Sequence, residues 1–561
     1  MARAAMTTRT RKSRRRIILP ILAIACVAIA AVGFSSFLIT NLARPSIVRL
    51  DPILVEPGGI IRIEGRNFGL ERGDSRVEID GVAPTASSYL GWAPSSLMLR
   101  LPASADSGLV YVVTPKGRSN PKLFMNRANL PVRAKIESGG GSGPYLASLS
   151  ATKGPIGSVV SLSGRSFGSN RGGGAVLFSW SSEDRSGALD SRSEIFYSQN
   201  AEGDLGYELW SDKEIRVRVP DGAISGAVSV RSSGGVSNSL FFDVTETPGY
   251  KRFTDRRSYA LSYSVSIADV RASLPNELYL WVPRPSESAS QRMARTLAQD
   301  PTPLVPDFRG VSLYRFKDLT EAQEASVSQS FLVQTWAVET KVEPESIRVP
   351  QNPPPLMAAY LLPDEFVPSA APEILAMAKR ISSGERNPYR AARLVYEYVT
   401  RNLAWTDAKE VKKPLAALAA KTADSSSYAI LVCALLRASG VPALPVSGFL
   451  VDPNRQTVRH AWIEFYIYGL GWVPMDPILG SGVKPGGLTP AFEELGRYFG
   501  SVDNRRVAFS RGYVVLAPMA PSGRRSSPAR PLAFQSFYEE SSGSLDAYSS
   551  FWSDVEVTGL Y

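Results

Sequence analysis

At 561 residues the chain is too long for one ordinary hydrophobic core, so several domains are expected. Its hydrophobic content of 44% is normal for a globular protein and argues against long disorder. The net charge of +11 does not predict a nucleic-acid partner. Seven of those charges are Arg3, Arg9, Arg11, Lys12, Arg14, Arg15 and Arg16, and no acid precedes Asp51, so the rest of the chain is only mildly basic.

The first predicted element follows that basic cluster. Residues 17–43 contain no charge and are long enough to cross ~30 Å of hydrocarbon as a helix. The expectation is a basic cytoplasmic tail over 1–16 and a transmembrane signal-anchor over 17–43, with the bulk of the chain outside the cytoplasm. A cleaved signal peptide shares the pattern, but its apolar core is usually only ~7–15 residues. The two cysteines, Cys26 in this segment and Cys433 in a buried helix, are not expected to pair. With a single histidine, His460, no metal site and no cofactor are expected.

Next comes an internal repeat. Pro45, Gly58, Gly65-Arg66-Asn67-Phe68-Gly69 recur as Pro144, Gly157, Gly164-Arg165-Ser166-Phe167-Gly168, at a constant offset of 99 residues. In the second halves, Pro102, Gly108, Ser119-Asn120 and Phe124 match Pro220, Gly226, Ser237-Asn238 and Phe242 at an offset of 118. The 19 extra residues of the second copy fall around 181–204 and read as a long loop. Short alternating runs between Gly, Pro and Asn predict a small β-sandwich for each copy, over 45–131 and 143–246, joined by the Gly/Ser stretch 138–143. These motifs resemble IPT/TIG domains, which implies an immunoglobulin-like fold and a spacer, protein-contact or ligand-binding role.

Residues 250–350 alternate again, as in Tyr259, Leu261, Tyr263, Val265 and Ile267, and predict a further β-rich domain. Pro353-Pro354-Pro355 reads as a stiff connection. Helices are predicted from Pro372 and from Asn387-Pro388, an N-cap followed by proline, so that two precede the helix that begins near Ser425. That helix is apolar nearly all round, which predicts burial on most sides. Its start offers unpaired N–H groups and partial positive charge.

On the following strand Ala461, Ile463, Phe465 and Ile467 are predicted to face the core, with His460, Trp462, Glu464 and Tyr466 opposite. Gly469 and Gly471 make the turn, and antiparallel pairing brings Asp476 near His460. A nucleophile position, a base and an orienting acid are thereby drawn together. After Asp476 a glycine-rich loop, a strand-like 505–516 and a polar 522–531 lead to a C-terminal 501–561 of strands and loop.

Asp424-Ser425-Ser-Ser-Tyr428-Ala429, Leu435-Leu-Arg-Ala-Ser-Gly440-Val-Pro-Ala, His460-Ala-Trp-Ile-Glu464 and Gly471-Trp-Val-Pro-Met-Asp476-Pro477 together resemble the transglutaminase-like superfamily. The resemblance implies a papain-like α+β core over 365–500, with Ser425, His460 and Asp476 at the family's nucleophile, base and orienting positions. Ser425 stands where the family has cysteine, Ala423 where it has glycine, and Leu444 where it has arginine. An alcohol needs base catalysis and an oxyanion hole where a thiol of pKa ~8.5 ionises readily. Ser425 therefore has two readings: a helix N-cap in a catalytically degenerate site, or the nucleophile of a Ser425-His460-Asp476 triad. Cys433, deep in the helix, reads as a buried hydrophobe.

The expected whole is multidomain: an N-terminal transmembrane helix, two immunoglobulin-like β-sandwiches, a β-rich domain and a transglutaminase-like core. The expected function is a membrane-anchored cell-envelope protein, single-pass in the inner membrane, whose degenerate (pseudoenzyme) domain binds envelope proteins, peptides or wall material or acts as a scaffold. The alternative is an acyl-transfer or amide-hydrolysing enzyme.

Overall fold

The computed structural model describes residues 44–52, 54–55, 59–79, 83–101, 108–120, 122–126, 143–180, 196–201, 205–351, 353–407 and 413–560. The chain divides into two compact units, Met1–Val132 and Arg133–Tyr561.

The described part of the first unit is a β-sandwich. One sheet orders strands Ser46–Asp51, Ile60–Arg66, Ser96–Arg100 and Tyr89–Ala93; the other holds Leu54–Val55, Lys122–Asn126, Gly108–Thr114 and Arg76–Ile79. Alternate residues of both sheets, among them Ile61, Ile63, Leu97, Leu99, Val77, Ile79, Val110 and Val112, fill the core between them.

The second unit begins with the same strand order: Tyr145–Leu149, Val159–Arg165, Glu214–Arg218 and Tyr207–Trp210 face Lys153–Gly154, Leu240–Val244, Gly226–Ser232 and Ala175–Trp180. The insertion expected to be a loop contributes an extra edge strand, Phe196–Ser198, paired with Ala175–Trp180. Residues 181–195 and 202–204 of it lie outside the described residues.

The repeated motifs have one physical cause in both copies. A Cβ on Gly65 would lie 2.1 Å from the Ser46 carbonyl oxygen and 2.3 Å from the Phe68 ring; on Gly164 it would lie 2.0 Å from the Tyr145 oxygen and 2.4 Å from the Phe167 ring. Only glycine lets the strand and the aromatic anchor approach so closely. The asparagine of each Ser-Asn pair brackets a backbone residue. Asn120 Oδ1 accepts from Ile47 N (2.8 Å) and its Nδ2 donates to Ile47 O (2.9 Å). Asn238 does the same to Leu146, both at 2.9 Å. The preceding Ser119 and Ser237 hydroxyls accept from Val112 N and Val230 N, each at 2.9 Å.

Beyond the second sandwich, residues 249–342 form a large antiparallel sheet. The long, bulged strand Gly249–Pro283 pairs with Ala325–Val342 along its first half and with Val311–Lys317 along its second. The C-terminal strands Glu539–Trp552 and Glu556–Leu560 also join it, against Gly249–Pro283.

The helices precede a four-stranded sheet. A short helix at Pro355–Ala359 interrupts the expected stiff connection. Then come α1 (Pro372–Ser382), α2 (Pro388–Asn402), α3 (Pro414–Ala420) and α4 (Ser425–Ala438). Two helices were expected ahead of α4; α3, a PLAALAA segment opened by proline, was overlooked. The sheet orders β3 (Gly471–Met475), β2 (Thr457–Ile467), β1 (Ala443–Val451) and β4 (Arg506–Arg511). Between β3 and β4 lies the single turn α5 (Pro477–Gly480). Every residue of α4 from Ser427 to Arg437 is buried, as an all-round apolar helix requires. Ala461, Ile463, Phe465 and Ile467 pack with α4, while Trp462 and Tyr466 join a separate cluster with Leu444 and Trp472.

The expectation of a single-pass membrane protein is corrected here. Among the described residues no helix is long and apolar enough to cross a membrane. The longest, α2, has 15 residues with charges on its outer face, short of the ~20 apolar residues a span needs. The tail 1–16 and the segment 17–43, with Cys26, lie outside the described residues, as does the stretch 138–142. The fold class of the described residues is mixed α/β and largely β-sheet, and none of their helices is long and apolar enough to span a membrane. The inner-membrane localisation, the membrane partner and the membrane-anchored function rested on a spanning helix, and no described helix supplies one.

Candidate functional site

Two short segments set the start of α4. Ala404–Trp405 pairs in parallel with Thr422–Ala423, which places Trp405 beside the helix entrance. The cap itself is Asp424: its Oδ1 accepts from Ser426 N (2.9 Å) and Ser427 N (3.2 Å), and the Ser427 hydroxyl donates to Oδ2. Ser425 is thus the first helical residue and not the N-cap. Its hydroxyl takes no part in the cap, and the residue is partly buried. It accepts a hydrogen bond from Trp405 Nε1 (2.9 Å) and lies 3.4 Å from His460 Nδ1.

His460 enters from β2 and is buried. Its other nitrogen, Nε2, is 2.8 Å from Asp476 Oδ2. The β2–β3 register pairs Ile463 with Met475, so Asp476, the next residue, sits one step beyond the end of the strand and close to His460. There it caps α5, its Oδ1 accepting from Ile478 N and Leu479 N, each at 3.1 Å. The structure therefore brings together the three residues singled out in the sequence.

It also adds a cation. Arg506 Nη1, from β4, lies 2.6 Å from Asp476 Oδ2, and its Nη2 lies 3.4 Å from Asp503 Oδ2. Its guanidinium also approaches the Trp462 and Tyr498 rings at 5.5 and 5.7 Å. Burial by itself would raise the Asp476 carboxyl. Electrostatic attraction to His460 and to the Arg506 guanidinium, with hydrogen bonds from His460 and Leu479, outweighs burial and holds it well below the usual carboxylate range. Arg506 is likewise desolvated, but Asp503 and Asp476 raise its pKa and keep it charged.

The proton positions follow from these partners. Indole N–H can only donate, so the Ser425 oxygen accepts from Trp405 and its own proton is directed to His460 Nδ1. An ionised Asp476 can only accept, so the His460 proton is on Nε2. The order is Trp405 to Ser425 to His460 to Asp476. At 3.4 Å the central contact is long, as such contacts often are before substrate binds.

Trp405, Arg506 and Asp503 escaped the sequence reading. Trp405 lies 20 residues before Ser425 and Arg506 30 after Asp476, with no motif spacing to join them. Leu444 faces Glu464 across β1 and β2, and Glu464 instead takes Arg511 from β4, with Nε and Nη2 at 2.9 and 2.7 Å. Cys433 is fully buried, and burial pushes its thiol far up, which keeps it protonated. Among the described residues no group of three or more His, Cys, Asp or Glu side chains could hold a metal ion.

Residues 375–477 match the model of the Transglutaminase-like superfamily. That segment spans α1 to the first residue of α5 and contains Ser425, His460 and Asp476. That match lends no support to an IPT/TIG assignment of the repeats, so for the described residues of 45–131 and 143–246 the observed fold is a β-sandwich without that assignment. No curated protein matches the chain. Among solved structures, a putative cysteine protease from Cytophaga hutchinsonii aligns at 15% identity over 55% of this chain and 92% of its own, with a TM-score of 0.37. The periplasmic domain of TgpA from Pseudomonas aeruginosa aligns at 16% identity over 40% and 86%, with a TM-score of 0.22. A putative protease from Parabacteroides distasonis aligns at 10% identity over 65% and 72%, with a TM-score of 0.18. At these scores the likenesses carry no argument about function.

Proposed function

We propose that this chain carries an acyl-transfer site on a transglutaminase-like core, with Ser425 as nucleophile, His460 as general base and Asp476 as the acid that orients it. The observation that carries this reading is the placement of the Ser425 hydroxyl. It is relieved of capping by Asp424, it belongs to a residue that is only partly buried, and it stands between a donor and Nδ1 of His460. The match of 375–477 to the family model supports it.

In this reading Ser425 Oγ attacks the carbonyl carbon of an amide or ester. The C–O bond forms as the hydroxyl proton passes to His460 Nδ1. Collapse of the tetrahedral intermediate breaks the bond to the leaving group, which takes that proton from His460. Water or an amine then releases the acyl group by the same steps in reverse. Trp405 N–H and the positive end of α4 are the groups at hand to stabilise negative charge developing beside Ser425. The two repeats, read as IPT/TIG-like modules over 45–131 and 143–246, would serve as spacers or as modules that contact other proteins, beside the core over 365–500.

A fluorophosphonate probe, which phosphonylates activated serines, tests the proposal on the full chain. Labelling should occur at Ser425 and vanish in Ser425→Ala. A chain that does not label, or that labels equally without Ser425, would leave the site as one that binds without turning over.

A further inference from the structure

We propose that Arg506 is a positioning residue of this site: it supplies the counter-charge that buried Asp476 requires and fixes Oδ2 toward His460, so that the imidazole keeps one proton, on Nε2, and its lone pair faces Ser425. This rests on the reading of Ser425, His460 and Asp476 as a relay.

Asp476 is completely buried, and an ionised carboxylate there needs a cationic partner. Two candidates reach the same oxygen: His460 Nε2 at 2.8 Å and Arg506 Nη1 at 2.6 Å. If the imidazole alone had to balance the charge, it would take a second proton, and Nδ1 would become a donor. A thiolate–imidazolium pair works in that state, but an alcohol needs a nitrogen that accepts. The substitution that puts oxygen at position 425 thus calls for a cation elsewhere on Asp476, and Arg506 is placed there.

The guanidinium is held on more than one side. Its second arm lies 3.4 Å from Asp503 Oδ2, and it is packed near the Trp462 and Tyr498 rings. Other titratable groups that interact with the pair are the phenols of Tyr396 and Tyr428, toward Asp476, and of Tyr498, toward Arg506. None is a cation, so Arg506 is the only positive side chain among the described residues bonded to Asp476.

The single histidine makes the test direct, because ring-nitrogen NMR of 15N-histidine-labelled full chain, purified on a histidine-free tag, reads His460 alone. Near neutral pH the unchanged chain should show only the Nε2–H ring. In Arg506→Met the ring should gain a second proton or mix tautomers, and fluorophosphonate labelling should slow by about 100-fold, the scale of a misplaced catalytic group. Arg506→Lys keeps the charge without the two-armed fork. It should show a minor second ring form and label about tenfold more slowly, between the unchanged chain and Arg506→Met.

A folded Arg506→Met with an unchanged Nε2–H ring overturns the proposal. Where Arg506→Met does not fold, Arg506→Lys decides, and a ring identical to that of the unchanged chain overturns it. Failure of the underlying reading looks different: the unchanged chain would itself show an Nδ1–H ring or would not label, whatever stands at position 506.

Discussion

The two β-sandwiches and the helix–sheet core both carry sequence motifs built on small polar residues, but those residues face different partners. In the sandwiches Asn120 and Asn238 direct both ends of the amide at backbone groups, closing one strand onto another. In the core Ser425, His460 and Asp476 direct their polar atoms mainly at one another. Only Asp476 does both, capping α5 with one oxygen and holding His460 and Arg506 with the other. A motif whose polar atoms end on backbone is a device of the fold. A motif whose polar atoms end on each other, at a residue that is only partly buried, is available for chemistry.

Substitutions separate the two kinds of motif. The largest loss of stability is expected at Asp476, where the roles overlap. Asp476→Ala strands the buried Arg506 and uncaps α5, and should cost about 3–5 kcal/mol in urea unfolding. The same charge has a signature in acid. The Asp476 carboxyl lies below its ordinary value in the folded chain, so its contribution is complete above the unfolded value of about 3.9 and is lost as pH falls toward the lower folded value. Melting temperature followed from pH 7 to pH 3 should drop more steeply in the unchanged chain than in Asp476→Asn.

Next comes Gly164→Ala, whose methyl meets the Tyr145 carbonyl and the Phe167 ring. It should destabilise the second sandwich by about 1–3 kcal/mol without altering labelling of Ser425. Asn238→Ala removes two hydrogen bonds to Leu146, and a loss of about 1–2 kcal/mol is expected in the same measurement. Smallest of all is Ser425→Ala. Because Asp424 caps the helix, this change should shift stability by no more than about 0.5 kcal/mol while abolishing labelling, whereas Asp424→Ala should cost about 1 kcal/mol. A Ser425→Ala loss as large as that of Asp424→Ala would mean that Ser425 belongs with the fold devices after all.

Much of the sandwich fold is legible in the chain because its determinants are local or recur at a constant offset. The glycine that admits an aromatic ring and the Ser-Asn bracket stand out when the two copies are aligned. The candidate site is legible in part for a related reason. The helix start, His460 on β2 and Asp476 after β3 lie within 52 residues, and strand alternation with a glycine turn is enough to bring the last two together. The limit shows at the same place. Serine before an apolar run reads equally as cap or nucleophile, and only the folded structure assigns the cap to Asp424. The extra strand Phe196–Ser198 and the helix α3 were missed because short elements depend on neighbours that their own sequence does not name.

By itself the amino-acid sequence determined the repeat, the apolar helix α4, the alternation of β2 and the chemical identity of the residue at position 425. These rest on periodicity and local sterics, which act between residues close in the chain. The tertiary structure alone decided which side chains surround that residue. Trp405 arrives through a two-residue parallel bridge, Arg506 through a strand added to the far edge of the sheet, and Arg511 as the partner that Leu444 cannot be for Glu464. It also joined the C-terminal strands to Gly249–Pro283, some 280 residues earlier in the chain. The reason is the same in each case. Charge balance and sheet edges are satisfied by whatever the fold brings near, and distance along the chain sets no rule for which residue that will be.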